Sequence, residues 1–257
     1  MPRILVIVPF PLDEHNLAQR RGQLQAVRLP ADTVVEYRPV RVAPSNYVSG
    51  HDSVIAELSI MEAGLQAQAE GFDAVCIDTM SDTGVTALRA VLRIPVIGPG
   101  RHAMLAALML GRRFSILTMW DAWRPLYSKT IADLGLAAQC ASVRAANIQP
   151  DNRNLLAGKE DTVFPRLAEV GRQCVEEDGA DVLILGSTTM HDSHAYLCAH
   201  LPVPVINPGP LSYALAQAAI RLRSVHSPRS YPPQPAPPAA LLRAVVEAGA
   251  RAETPAD

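Results

Sequence analysis

The sequence lacks the features that mark a membrane or nucleic-acid-binding protein. Its 257 residues carry a formal net charge of −2, so there is no surplus of positive charge to attract a nucleic acid or an anionic lipid surface. No apolar run reaches the roughly 18–20 residues that a membrane span requires. We therefore expect a globular protein that binds neither nucleic acid nor a membrane.

Cysteine is also scarce. The four cysteines, Cys76, Cys140, Cys174 and Cys198, show no paired short spacing, which argues against a zinc site or a disulfide scaffold. The pattern predicts buried free thiols, no metal and a reducing cytoplasmic location. Neither a P-loop nor a Rossmann fingerprint occurs, so we expect no nucleotide and no other cofactor.

Apolar runs typical of strands alternate with helical patterns along the whole chain. Helical periodicity is clearest over Val54–Glu70 and Thr162–Glu177. This alternation predicts an α/β fold with parallel sheets and crossover helices. The predicted strands are Ile4–Val8, Thr33–Tyr37, Ala74–Ile77, Pro95–Ile97, Ser115–Thr118, Ala141–Arg144, Val182–Leu185 and Pro204–Ile206.

A long internal repeat gives more information than the alternation. Gly71–Thr79 matches Gly179–Ser187 at an offset of 187 − 79 = 108, and Ile94–Gly100 matches Val203–Gly209 at 209 − 100 = 109. The nearly constant offset predicts two pseudo-symmetric lobes, each an open parallel sheet flanked by helices, with a ligand cleft between the lobes. We expect residues 1–105 and 210–225 to form lobe 1 and residues 106–209 to form lobe 2.

The remaining residues, 226–257, differ in composition from both lobes. Six prolines between His226 and Ala239 exclude a helix or a central strand there. We interpret the segment as an exposed linker that precedes a C-terminal helix over Ala240–Ala248. Such a helix suits contacts between subunits, and we expect a homo-oligomer.

Ligands of open parallel sheets bind at the carboxyl ends of the strands, which here carry Thr79 and Ser187. We predict that these two hydroxyls lie across one cleft, within about 12 Å of each other, so that both reach one small ligand. Each begins a turn rich in small polar residues, a natural anion site. The candidate substrate-binding residues are Pro9, Ser81, Asp82, Thr118, Trp120, Thr188, Thr189 and His191.

Several of these residues have a structural alternative. Ser81, Asp82, Thr188 and Thr189 are also suited to be helix caps, and capping is the interpretation we favour for Asp82 over a general base. His191 is either an acid–base group or a structural histidine, and Asp192 is too close in sequence to face it on a helix. His194 and His200 are expected to face solvent. We expect Gly98-Pro99-Gly100 and Asn207-Pro208-Gly209 to form rigid turns.

These motifs resemble the aspartate/glutamate/hydantoin racemase superfamily, in particular its hydantoin and allantoin racemases. The resemblance rests on the doubled lobe, the Thr79–Gly84 turn, Leu185-Gly186-Ser187-Thr188-Thr189-Met190 and the two Pro-Val-Ile runs, and it covers about Pro2 to Leu222. It implies a cofactor-independent enzyme acting at a carbon α to a carbonyl. It also implies catalytic cysteines at the third strand end of each lobe, where this chain has Thr79 and Ser187.

The replacement of both thiols leaves two explanations open. In the first, the natural protein carries a thiol at position 187 and Ser187 is an introduced substitution. In the second, the chain performs single-face chemistry, such as decarboxylation or isomerisation through an enolate. The first strand also ends in Val8-Pro9-Phe10-Pro11 rather than an Asn-Pro-Asn-type turn, which predicts a different substrate face. We expect a racemase or isomerase of a small ureide or carboxylic acid. A lyase or hydrolase using the same cleft, and a non-catalytic binding protein, are the alternatives.

Overall fold

The computed structural model describes residues 1–151, 155–235 and 237–253, without the side chain of Glu253. The chain divides into two compact units. Unit 1 consists of Met1–Gly98 together with the residues from Ser212 onward, and unit 2 is Pro99–Leu211. The chain therefore leaves unit 1 once, builds unit 2, and returns within a single helix.

Each unit contains one four-stranded parallel sheet, and the two sheets have the same strand order. In unit 1 the order is β2-β1-β3-β4, and in unit 2 it is β6-β5-β7-β8. The predicted α/β fold with two pseudo-symmetric halves is thus confirmed. The strands are β1 (Arg3–Val8), β2 (Val34–Pro39), β3 (Ala74–Ile77), β4 (Val96–Ile97), β5 (Phe114–Thr118), β6 (Cys140–Ala145), β7 (Val182–Leu185) and β8 (Val205–Ile206).

The inner strands are buried on both faces, as expected of parallel sheets covered by helices. Successive residues of β1 enter different hydrophobic clusters: Leu5 and Ile7 belong to one, and Ile4 and Val6 to the other. This alternation follows from the two-residue period of a strand. It explains why the inner strands are continuous apolar runs and why the sequence reveals them well.

The helices that cover the sheets begin and end at identifiable signals. The second helix was predicted over Val54–Glu70, but it begins at Gly50, after a capping box between Ser49 and Asp52, and ends at Gly64. The helices are α1 (Glu14–Arg21), α2 (Gly50–Gly64), α3 (Val85–Val91), α4 (Pro99–Leu110), α5 (Arg124–Asp133), α6 (Glu160–Glu176), α7 (His194–His200), α8 (Pro208–Leu222) and α9 (Ala239–Glu253).

The two Pro-Gly sequences are not the rigid turns that we predicted. Pro99 begins α4 and Pro208 begins α8. Proline suits the first helical position because its fixed φ is helical and its missing N–H would have no intrahelical partner there. Each sequence therefore marks the point where a short edge strand passes directly into a long helix.

The proline-rich segment is largely exposed, yet it is attached to unit 1. The Gln234 amide donates to the Ala90 carbonyl oxygen (2.9 Å), and His226 Nε2 donates to the Leu92 carbonyl oxygen (3.1 Å). Arg89 Nη1 donates to the Tyr231 hydroxyl (2.9 Å). These bonds fasten the segment along α3, and the helix that follows is longer than the predicted Ala240–Ala248.

Candidate functional site

The strand-end turn of unit 1 carries a short chain of hydroxyl groups. Thr79 Oγ1 lies 3.1 Å from Ser81 Oγ, and Ser81 Oγ lies 2.7 Å from Thr83 Oγ1. All three residues are half-buried. Each of these hydroxyls can both donate and accept a hydrogen bond. The Thr79 hydroxyl can therefore accept from Ser81 while it donates to a ligand.

A buried ion pair lies directly behind this turn, at the end of β3. Arg20 Nη1 is 3.0 Å from Asp78 Oδ2, and both side chains are 1% exposed. Gln23 Nε2 donates to Asp78 Oδ1 over 3.2 Å. The carboxylate next to Thr79 is therefore held by two side chains of the α1 region, which fixes the direction of the strand end.

Asp82 occupies a special backbone position within the same turn. Its φ is +55°, in the left-handed region that aspartate tolerates better than most residues. A Cβ added to Gly98 would lie 2.6 Å from Asp82 Oδ1, so the carboxylate sits directly over the end of β4. The N-cap residue of α3 is Gly84 and not Asp82, so the capping role favoured from sequence is wrong, and Asp82 instead occupies the left-handed position of the turn with its carboxylate against the end of β4.

The turn of unit 2 repeats the hydroxyl pairing. Ser187 Oγ lies 2.8 Å from Thr189 Oγ1 and accepts from the Thr189 amide over 3.2 Å. Ser187 thereby caps the 3₁₀ helix Thr188–Ser193. Thr188 and Thr189 are buried, so of this turn's hydroxyl residues Ser187 is the half-buried one, like Thr79.

A neutral network replaces the ion pair in unit 2. Tyr127 Oη donates to the Gly186 carbonyl oxygen over 2.6 Å and lies 2.8 Å from Thr118 Oγ1. A Cβ added to Gly186 would lie 2.8 Å from Tyr127 Oη and 2.9 Å from Thr118 Cα. Since this space is filled, unit 2 has no room for a counterpart of Asp78, and the Thr118 hydroxyl is engaged inside the protein.

His191 and Asp192 contact each other, contrary to our expectation. His191 Nδ1 lies 3.2 Å from Asp192 Oδ1, and the imidazole is 9% exposed. The expectation rested on the angle between neighbouring side chains around a helix axis, but in the short 3₁₀ helix Thr188–Ser193 the two side chains turn toward each other through their own χ angles. A carboxylate at Nδ1 orients an imidazole for acid–base chemistry at its other nitrogen.

Two further predictions about histidine and cysteine need correction. His194 is not simply solvent-facing, because its Nε2 donates to the Val205 carbonyl oxygen over 2.9 Å. His200 is exposed as predicted. Of the four cysteines predicted to be buried, Cys140 is only half-buried and Cys198 is exposed. Cys198 lies on the outer side of the same helix, where its Sγ is 3.4 Å from His194 Nε2.

The remaining candidates lie at the ends of β1 and β5. Pro9 is buried, and its carbonyl oxygen accepts from the Tyr47 hydroxyl over 2.7 Å. Trp120 is half-buried and packs edge-on against Trp123 at 6.4 Å. Arg124 forms an exposed pair with Asp121 of its own turn.

No cysteine of this chain is poised as a thiolate. Burial raises the pKa of the Cys76 thiol far above its ordinary value, and the nearby Asp78 raises it further. Burial also raises the pKa of Cys174 to about 11 and raises the pKa of Cys140 and of Cys198. A thiol must ionise to act as a base, so proton transfer by cysteine is disfavoured at neutral pH.

Sequence reasoning missed Arg20, Gln23 and Tyr127. The signal for Arg20 is weak: it follows the buried Leu17 by three residues on α1, which places a charge on the buried face of that helix. Tyr127 follows the buried Trp123 by four residues, a spacing that predicts burial but not a hydrogen-bond partner.

Metal and membrane features are not found in the part of the chain that the structure describes. Within residues 1–151, 155–235 and 237–253, no three His, Cys, Asp or Glu side chains cluster so that they could hold a metal ion. Among the same residues, no helix is long and apolar enough to cross a membrane.

Two parallel sheets of identical order, each ending in a hydroxyl-bearing turn, define a doubled α/β protein of the kind that handles small molecules at its strand ends. The profile of the Asp/Glu/hydantoin racemase family matches residues 20–216. The chain belongs to this family, and its relatives identify it as a racemase-family enzyme.

The curated relatives include hydantoin racemases. The chain is 27% identical to the hydantoin racemase of Pseudomonas sp. strain NS671 over 196 residues, which cover 75% of this chain and 77% of that protein. It is 29% identical to the hydantoin racemase of Rhizobium meliloti over 182 residues, 69% of this chain and 72% of the relative.

A solved structure supports the fold. Allantoin racemase from Klebsiella pneumoniae superposes with a TM-score of 0.81 at 23% identity, covering 92% of this chain and 95% of that one. At this identity the likeness concerns the fold alone. The family profile and the hydantoin racemases confirm the resemblance stated from the sequence motifs.

Proposed function

We propose that this chain racemises or isomerises a small ureide or carboxylic acid at a carbon α to a carbonyl, with Thr79 and Ser187 contacting the substrate. The observation that carries the proposal is the pair of half-buried hydroxyls at equivalent strand ends of a racemase-family fold. In the racemases that this sequence resembles, the residues at these two positions act at the reacting carbon.

The two hydroxyls serve as hydrogen-bond donors rather than as bases. An aliphatic hydroxyl ionises far less readily than a thiol, so neither residue removes a proton unaided. When the α-proton leaves, negative charge develops on the carbonyl oxygen, and donors aimed at that oxygen stabilise the enolate. Ser81 and Thr189 orient the hydroxyls of Thr79 and Ser187 through the bonds described above.

His191 is the proposed proton-transfer group. Its neutral imidazole accepts the α-proton, and the C–H electron pair moves to the carbonyl oxygen. A proton from solvent that reaches the opposite face of the planar carbon completes racemisation, and the imidazolium then releases its proton to solvent, whereas return of the proton from the imidazolium restores the starting enantiomer. Histidine suits both directions because its ordinary pKa lies near neutrality, and Asp192 orients the ring.

Proton exchange in heavy water tests the proposal. The substrate panel consists of substituted hydantoins, allantoin and substituted malonates. We expect deuterium to enter at the α-carbon of one panel member, and the rate to fall roughly tenfold or more in Ser187→Ala and Thr79→Val, within the range of a lost oxyanion donor.

Ser115→Ala is the matched control for these variants. Ser115 lies early in β5, and its Oγ is hydrogen-bonded to Ser142 Oγ over 2.8 Å, the same distance as between Ser187 Oγ and Thr189 Oγ1. We expect this variant to exchange at the wild-type rate. Equal losses in all three variants would indicate a general effect on folding and would contradict the site assignment.

A decarboxylase is the second candidate, and the hydroxyl groups at Thr79 and Ser187, which donate hydrogen bonds but do not act as bases, favour it. Loss of carbon dioxide breaks a C–C bond and leaves its electron pair as the enolate, so no base has to remove a proton. The donors at Thr79 and Ser187 would stabilise the same enolate, and His191 would supply the proton. Release of carbon dioxide from the malonates, without exchange into the hydantoins, would establish this alternative.

A further inference from the structure

The carboxamide of Asn207 is buried without hydrogen bonds. Asn207 directly follows β8 in unit 2, and the residue is 8% exposed. Among the residues whose positions the structure gives, neither its Nδ2 nor its Oδ1 has a hydrogen-bond partner. A buried amide that makes no hydrogen bond costs stability, so a side chain in this condition calls for an explanation beyond packing.

The sequence after Asn207 excludes the usual structural role of an asparagine at this position. Asn207 precedes α8, and an asparagine there normally accepts from the amide of the second or third helical residue. The third helical residue is Pro210, which has no N–H, and the second, Gly209, does not bond to Oδ1. The Leu211 amide donates to the main-chain carbonyl oxygen of Asn207 over 3.3 Å. The side chain of Asn207 is therefore not a helix cap.

The internal repeat shows where the side chain of Asn207 points. Position 207 corresponds to Gly98 of unit 1, since 207 − 98 = 109, the offset of this part of the repeat. The strand β4 also pairs with β3 in the same register as β8 with β7. A Cβ added to Gly98 would lie 2.6 Å from Asp82 Oδ1, in the turn that follows β3. The side chain of Asn207 therefore points toward the turn that follows β7, which begins at Ser187 and contains His191.

Each unit thus has one polar group at this point, but the two groups differ in chemistry. In unit 1 the group is the carboxylate of Asp82, which comes from the turn itself. In unit 2 the equivalent residue of the turn, at 190 − 82 = 108, is the buried Met190, and the polar group is the carboxamide of Asn207. A carboxylate only accepts hydrogen bonds, whereas a carboxamide donates and accepts. Only the group of unit 2 can therefore do both toward one ligand.

Asn207 lies close enough to Ser187 for one small ligand to contact both residues. Extending the register of β7 and β8 by one residue puts Asn207 level with Leu185, which precedes Ser187 by two residues. At a strand spacing of about 4.8 Å and a rise of about 3.3 Å per residue, the Cα atoms of Asn207 and Ser187 are about 8 Å apart. A five- or six-membered ring between the two side chains spans this separation.

We propose that Asn207 is a specificity-determining residue of the substrate site, and that its carboxamide pairs with an adjacent N–H and C=O on one edge of the ligand. Nδ2 donates to the ligand carbonyl oxygen, and Oδ1 accepts from the ligand N–H. A cyclic ureide presents such an edge, because a ring amide holds its N–H and C=O on the same side. A malonate offers acceptors only and leaves Oδ1 without a donor. The inference rests on the proposed function, which assigns Ser187 to the substrate.

Calorimetric titration with a substituted hydantoin and its two N-methyl analogues tests the inference without requiring turnover. Asn207→Leu is similar in size but lacks both polar atoms, so we expect it to bind the hydantoin roughly tenfold or more weakly, because two hydrogen bonds are lost. One of the N-methyl analogues should bind the wild type more weakly than the hydantoin does, and this difference should disappear in Asn207→Leu. The measurements on the wild type hold even if the variant does not fold.

Ser59→Ala is the matched control for Asn207→Leu. The Ser59 hydroxyl is likewise buried with no partner among the described residues, but it lies in α2 of unit 1. This variant should bind the hydantoin like the wild type. Thermal denaturation without ligand adds a second readout, because an amide without partners does not stabilise the fold, and Asn207→Leu should be at least as stable as the wild type.

The outcomes separate this inference from the proposed function. A wild type that binds both N-methyl analogues as tightly as the hydantoin, or that binds malonates and not the hydantoin, would overturn the role of Asn207. Lower stability of Asn207→Leu with unchanged hydantoin affinity would overturn it as well, even if Ser187→Ala still loses proton exchange. Weaker hydantoin binding by Asn207→Leu, together with no exchange by the wild type, would support the role of Asn207 and contradict the proposed function.

Discussion

The two units share one sheet order but hold their third strand ends by different chemistry. In unit 1 the residue before the half-buried hydroxyl is Asp78, neutralised by the buried Arg20. In unit 2 the equivalent residue, at 186 − 78 = 108 positions later, is Gly186, whose carbonyl oxygen accepts from Tyr127. One strand end therefore relies on charge pairing and the other on neutral hydrogen bonds.

This difference shows which parts of the repeat are interchangeable. Strand order and the hydroxyl position are the same in both units, and they place a donor where a ligand of an open sheet would bind. The groups behind the hydroxyl differ completely, because Tyr127 and Thr118 fill the space that a side chain at 186 would need. The two units therefore share the direction of the strand end, but each unit holds that strand end with different side chains.

Among the substitutions that test this difference between the two units, Arg20→Met is expected to have the largest effect on stability. The substitution leaves the buried Asp78 carboxylate without its cation, so the free energy of unfolding should fall by about 3–5 kcal/mol. Urea denaturation followed by circular dichroism measures it. Arg144→Met in unit 2, which breaks a more exposed pair with Asp178, should cost about 1 kcal/mol or less.

The double variant Arg20→Met/Asp78→Leu gives the internal check. Removing both charges should cost less than removing Arg20 alone, because no unpaired charge remains buried. A double variant that is as unstable as the sum of its single variants would mean that the ion pair does not account for the effect.

A smaller effect is expected from Tyr127→Phe in unit 2. The substitution leaves the Gly186 carbonyl oxygen without the Tyr127 hydroxyl, so stability should fall by about 1–3 kcal/mol. Tyr196→Phe serves as the control, since Tyr196 stacks on His200 at the surface. Thermal denaturation of both variants makes the comparison, and equal melting temperatures would contradict the role assigned to the Tyr127 hydroxyl.

The smallest effect concerns the C-terminal segment, which belongs to unit 1. Burial and the nearby Arg89 lower the pKa of His226, so the unfolded chain binds a proton there more readily than the folded one. Stability from this group is then complete above the unfolded pKa of about 6.5 and is lost as the pH falls toward the folded value. In His226→Gln, the change in the free energy of unfolding between acidic and neutral pH should be smaller than in the wild type by a few tenths of a kcal/mol. Denaturation at a series of pH values in this range measures it.

The strands were predictable from sequence because parallel strands buried on both faces leave continuous apolar runs. β3 and β7 were predicted to the residue, at Ala74–Ile77 and Val182–Leu185. Helix ends were less predictable, because they depend on caps and close approaches. α2 ends at Gly64, where an added Cβ would lie 2.8 Å from side-chain atoms of Ile7 and Leu88.

The candidate site was only partly predictable for a related reason. The hydroxyls at Thr79 and Ser187 follow from the repeat, which is visible in one dimension. The partners that hold the strand ends come from other elements, Arg20 from α1 and Tyr127 from α5. No local pattern links these residues to positions 78 and 186, so their role emerges only when the chain is folded.

The most direct test of the proposed function is α-proton exchange on the substrate panel by Ser187→Cys. A thiol beside the Thr189 amide can ionise near neutral pH, whereas the serine hydroxyl only donates a hydrogen bond. We predict that the exchange rate rises roughly tenfold or more, up to the factor of about 10²–10⁴ that acid–base groups typically contribute. Thr79→Cys should raise it comparably if both faces are used. Equal rates for the wild type and Ser187→Cys, on a panel member shown to bind, would contradict the placement of position 187 at the reacting carbon.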